Sequence, residues 1–196
     1  MRLTYVEDKG LTGPGSGLPR GLLVIFGEHG GAARMLNLAA GLSLRGPLYL
    51  LDCGNRSNMY RVARTLRTLT DDPVAVLRNI RLSRAFTCYQ VVALLEKVAA
   101  RPAAPVLVLD LLATFMDESV QLRESSLLFD STLQHLLTVG QTVPVVVSAK
   151  PLLSLSAPRF GLLEQLKAAA AEVWEESALL PARPAAGTQL PLLPDY

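Results

Sequence analysis

What the sequence is short of narrows the field first. It has only two cysteines, Cys53 and Cys88, and they form no recognisable motif. That argues for a reduced, cytosolic setting with neither a disulfide nor a metal held by thiolates. It has only two histidines, and neither His29 nor His135 has a partner at metal-ligand or triad spacing. His135 lies among leucines, as a residue at the edge of a core would. No run of about 18 or more apolar residues exists, so no membrane span is expected. The first residues carry no signal-peptide pattern, and a cytoplasmic location is expected. The formal net charge of +2 is slight and says little about partners. Its distribution is uneven: from Arg56 to Arg84 there is no lysine, but there are seven arginines against Asp71 and Asp72.

Half of the 196 residues are apolar, ample for one sizeable core. The stretch from Gly21 to Leu36 organises the rest. An apolar run of strand length, Leu22 to Phe26, meets a glycine-rich turn and then a helical pattern. That is the layout of a phosphate-binding loop, in which backbone N–H groups at a helix N-terminus cradle an anion. The pattern G-x-x-x-x-G-K-[ST] would start at Gly27, but Ala32, Ala33 and Arg34 stand where Gly, Lys and Ser/Thr belong. The lysine for the terminal phosphates and the hydroxyl for Mg²⁺ are missing. Two readings remain open. Gly27, Glu28, Gly30 and Gly31, with Arg34 as a substitute charge, form a residual nucleotide or anion site; or the turn simply joins a strand to a helix.

Further strands are expected at Leu48–Leu51, ending at Asp52, at Ile80–Ser83, at Val106–Leu109, ending at Asp110, at Val143–Val147 and from Val173. Helices are expected at 34–44, 59–69, 88–100, 125–139 and 162–171, with a turn at Asp71-Asp72-Pro73. Strands alternating with helices predict an α/β fold: a mainly parallel central sheet with helices on both faces, its connections right-handed. Residues 1–20 read as a flexible leading segment, 21–180 as the core domain, and 181–196, rich in Pro and Leu, as a mobile tail.

The order of several pieces resembles the ATPase core of the RecA/RadA recombinase superfamily, most closely its archaeal and eukaryotic branch. Phe26-Gly27-Glu28 opens the loop as in that branch. Leu48 to Asp52 followed by Asn55 to Arg64 is similar to its second strand and next helix. Asn79-Ile80, Arg84-Ala85-Phe86-Thr87, Gln90 and Leu94-Leu95 look like its "Asn-Ile … Arg-Ala-Phe-Asn … Gln … Leu-Leu" segment. Pro105 to Asp110 falls on its Mg²⁺-assisting strand, and Pro144 to Ser148 on the strand before its second DNA-binding loop. The similarity covers roughly residues 20 to 175 and implies a RecA-like three-layer fold.

The departures are as informative. The family's catalytic glutamate falls at Gly54, its loop Lys and Thr at Ala33 and Arg34, and the residue after Asp110 is Leu111. The resemblance therefore implies a degenerate paralogue, a pseudo-ATPase with no catalytic residues and no bound cofactor, acting as an accessory in DNA repair or recombination. The alternative is an active NTPase that uses Arg34 in place of lysine and binds ATP and Mg²⁺ with Asp110. By position, the family's two DNA-binding loops fall near 116–123 and 150–159, nominating Arg123, Lys150 and Arg159 as phosphate contacts; Arg61, Arg64 and Arg67, spaced every three residues, nominate a second basic face. Expected partners are repair or replication proteins and DNA, with oligomers allowed. In the tail, Gln189, Leu190, Leu192 and Leu193 resemble the peptide that docks on the bacterial sliding clamp, which would tie the chain to translesion synthesis, as in ImuA-like proteins.

Overall fold

The computed structural model describes residues 3–5, 18, 20–27, 31–150 and 157–175, with 3–5, 157 and 158 described by their backbone alone. Among the described residues, seven parallel strands form one sheet: β1 (Leu3–Tyr5), β2 (Gly21–Phe26), β3 (Leu48–Asp52), β4 (Ile80–Arg84), β5 (Val106–Leu109), β6 (Pro144–Ala149) and β7 (Glu172–Glu175). Their spatial order is β1-β7-β2-β6-β5-β3-β4. The described residues also form the α-helices α1 (Ala32–Ser43), α2 (Met59–Leu66), α3 (Pro73–Leu77), α4 (Cys88–Ala100), α5 (Leu122–Gly140) and α6 (Ala157–Ala169). The expected α/β architecture is present, and it is consistent with a RecA-like three-layer arrangement.

The central strands are apolar along their whole length because both faces are covered. Leu22 to Ile25, Val106 to Leu109 and Val145 to Val147 are all buried. Alternate residues feed two separate cores. On one face Leu22, Val24, Val106 and Val108 meet Val91 and Leu95 of α4 and Phe129 and Leu136 of α5. On the other, Leu23, Ile25, Leu107 and Leu109 meet Met35 and Leu38 of α1 and Val62 and Leu66 of α2. The Phe129 ring stands edge-on to Phe115, 5.2 Å between centroids.

Three local readings of the sequence need correction. The leading segment contributes β1, which pairs with β7 in parallel. The turn expected at Asp71–Pro73 starts a short helix instead. Proline sits at its first position, and the Asp72 carboxylate accepts from the Ala75 N–H at 2.9 Å. The last helix begins at Ala157, five residues before its expected start at 162.

Candidate functional site at the carboxyl edge of the sheet

Strand register brings the carboxyl ends of five strands into one row. Phe26 pairs with Ala149, Asp52 with both Leu109 and Arg84, and Val108 with Val147. In open parallel sheets this edge is where ligands bind. Here it holds two carboxylates, Asp52 and Asp110, each at the end of a buried strand and each buried itself.

Asp52 is built into its own loop. Its carboxylate accepts from the Arg56 N–H at 2.8 Å and the Ser57 N–H at 2.9 Å, and from the Ser57 hydroxyl. Arg84 stands 3.6 Å away and also donates to Ser57 Oγ at 3.3 Å. Burial alone would raise the pKa of Asp52; the Ser57 hydroxyl and the N–H groups of Arg56, Ser57 and Gly54 outweigh it and hold the carboxyl below its ordinary value. The ionised group thus closes the 53–57 turn.

Asp110 is placed differently. Its backbone is left-handed, at φ +52° and ψ +53°, and its N–H donates to the buried Ser148 hydroxyl at 3.0 Å. Few donors surround its carboxylate. Burial raises its pKa and the nearby Asp52 charge adds to that, with Arg56 opposing. Two cations from different elements converge on one oxygen: Lys150 Nζ at 3.2 Å and Arg56 Nε at 3.5 Å from Oδ2. Cys53, between the two acids in sequence, is buried, and burial with both negative charges pushes its thiol up and keeps it protonated.

Gly54, where the resembling family carries its catalytic glutamate, is jammed against this carboxylate. A Cβ there would lie 2.5 Å from both Cβ and Oδ2 of Asp110. No side chain fits without displacing Asp110. Gly31 is constrained too. It is the N-cap of α1 at φ +57°, and a Cβ would lie 2.7 Å from Ile25 Cγ2. Gly27 is buried, and its N–H donates to the Ala149 carbonyl at 3.3 Å. Arg34 sits half-buried in the first turn of α1. Glu28 and Gly30 lie outside the described residues, as do Gln189, Leu190, Leu192 and Leu193.

A Mg²⁺–nucleotide does not fit the side chains present. The loop lysine and hydroxyl are absent, and the Asp110 oxygen that would face a metal is bonded by Lys150 and Arg56. Among the described residues, no group of three or more His, Cys, Asp or Glu is arranged to hold a metal ion.

The nominated DNA contacts separate into three groups. Arg61, Arg64 and Arg67, on α2 and at its C-cap, are exposed, as is Arg123 on the first turn of α5. Lys150 is drawn inward to Asp110. Arg159 is not on a loop. It is buried in α6, and its guanidinium donates to the Phe115 carbonyl and, at 2.8 Å, to that of Val120. It pins the 3₁₀ helix Leu111–Met116 and the turn after it. That correction follows from the helix starting early. Sequence reasoning also missed Arg56, Ser57, Arg84 and Ser148. The short step from Asp52 to Arg56 and Ser57 was a usable signal for a capped turn; the other two contacts depend on strand order.

No protein-family model matches the chain, and no curated protein matches it either. None of the described helices is long and apolar enough to cross a membrane.

Proposed function

We propose that the chain is a non-catalytic, RecA/RadA-like accessory protein of DNA repair or recombination that works by binding other molecules. One observation carries the non-catalytic half of this reading: the acid at the Mg²⁺-assisting position is neutralised by Lys150 and Arg56 and walled in by Gly54. A metal competing for Asp110 must displace two cations, and a water-activating glutamate has no room at position 54. The repair half rests on the sequence resemblance over residues 20 to 175. An NTPase using Arg34 needs the Asp110 carboxylate free, and it is engaged. The test is titration with ATP and Mg²⁺, followed by a turnover assay. Neither saturable binding at millimolar nucleotide nor turnover is expected. Turnover abolished by Asp110→Ala overturns the reading.

A further inference from the structure

The β4 flank of the molecule differs from the rest in charge and in what it exposes. All seven arginines between Arg56 and Arg84 are exposed, and with only Asp71 and Asp72 against them the segment carries a formal +5. The remainder of the chain is therefore −3, since the whole is +2. Arg56 and Arg84 are partly spent on the two buried acids. Arg61, Arg64 and Arg67 have no ion pair among the described residues. They follow one another every three residues on the side of α2 opposite the buried Val62 and Leu66, a row about 9 Å long at 1.5 Å per residue.

Two aromatic side chains are exposed on this flank, one within the row's own helix and one just past the end of β4. Tyr60 and Phe86 are each 71% exposed, unusual for large apolar side chains. Both are close to the same contact: Ser57, three residues before Tyr60, bonds Arg84, two residues before Phe86. Tyr60 is the second residue of α2, and Phe86 lies between the end of β4 and the start of α4. Phe86 is held there by its turn. Its N–H donates to Gln90 Oε1 at 2.7 Å, and Thr87 Oγ1 accepts from the Gln90 N–H. The ring stays outward because its backbone is tied to a capped helix.

We propose that this flank binds single-stranded nucleic acid, with Arg61, Arg64 and Arg67 on the phosphates and Tyr60 and Phe86 stacking against unpaired bases. Arginine without lysine favours phosphate and base planes, which its flat fork can both pair and stack on. Open aromatic faces favour a single strand over a duplex, whose bases are already stacked. The surface is distinct from the regions near 116–123 and 150–159. There Asp117 and Glu118 are exposed, Glu124 accepts from the Tyr89 hydroxyl at 2.6 Å, and Arg159 is buried. This inference rests on the repair reading above, but the two fail separately. Absent oligonucleotide binding sinks this surface alone, and ATP turnover sinks the non-catalytic reading alone.

The test is fluorescence anisotropy of the full chain with labelled oligo(dT) and oligo(U) of about 20 nucleotides, longer than the footprint of a typical single-strand site. A duplex and poly-glutamate serve as competitors, over a salt series. Affinity is expected to fall with salt, with a log–log slope of about −0.7 per phosphate contacted. Arg61→Glu/Arg64→Glu/Arg67→Glu should lower both affinity and slope. Tyr60→Ala/Phe86→Ala should lower single-strand affinity about tenfold or more and leave the slope unchanged. All five positions are exposed, and circular dichroism confirms that each variant is folded. Preference between the DNA and RNA probes assigns the sugar. Equal binding of duplex and single strand, effective competition by poly-glutamate, or affinities untouched by both variants overturns the proposal.

Discussion

Asp52 and Asp110 end neighbouring strands, lie on the same edge of the sheet and are both buried, yet their surroundings push them in opposite directions. Asp52 is met by N–H groups of its own turn and by a hydroxyl, and its acidity increases. Asp110 is buried close to the Asp52 charge, and its acidity falls, although side-chain cations reaching in from elsewhere oppose the shift. An acid at the end of a parallel strand therefore has no fixed role; the donors around it decide. Backbone donors make Asp52 part of the fold. Asp110 is paired instead with adjustable side-chain cations, Arg56 and Lys150.

The largest effect should come from removing the first of the pair. Asp52→Ala leaves the donors of the 53–57 turn and Arg84 without their acceptor, and is expected to cost about 3 kcal/mol or more in urea unfolding. Asp110→Asn should cost far less, because Arg56 and Lys150 retain access to water. The pH dependence separates them by sign. Asp52 is more acidic folded than unfolded, so its stabilisation is present above the ordinary carboxylate pKa and is lost as pH falls through the lower folded value. Asp110 is less acidic folded, so lowering pH through its raised value favours the folded state. Asp52→Asn should flatten the acid limb of the stability curve and Asp110→Asn should steepen it. Equal limbs would erase the contrast.

Next in size is Gly54→Ala. The new methyl meets Asp110 at 2.5 Å, and about 1–3 kcal/mol of destabilisation is expected. Adding Asp110→Gly should recover most of it, since glycine also suits the left-handed backbone there. Additive losses would mean that the two positions do not touch. Arg159→Met, which orphans the carbonyls of Phe115 and Val120, is expected to cost a similar or slightly smaller amount, about 1–2 kcal/mol. Hydrogen exchange should quicken in 111–121 with oligonucleotide affinity unchanged. The smallest effect belongs to Lys150→Met. A part-exposed ammonium contributes within about 1 kcal/mol, and its loss should raise the Asp110 pKa further by NMR titration.

The contrast also marks how far the residues alone could be read. The strands ending at Asp52 and Asp110 are legible because unbroken apolar runs bounded by turns have few other solutions in a parallel sheet. The glycine-rich turn and the helix after it are legible for the same local reason. The neutralisation of Asp110 is not: its two cations come from positions 56 and 150, brought together by strand order. Arg159 was misplaced because a buried guanidinium serving carbonyls 39 and 44 residues away leaves no local periodicity. Pro73 looked like a turn because a five-residue helix opened by Asp-Pro shares its start with one.

The central claim is that this carboxyl edge no longer handles nucleoside triphosphate. The most direct measurement is isothermal titration of the full chain with ATP and Mg²⁺, run beside the Asp110→Ala variant and coupled to a phosphate-release assay. The account predicts no saturable heat and no released phosphate from either protein. Phosphate released by the unsubstituted chain and not by Asp110→Ala would contradict it.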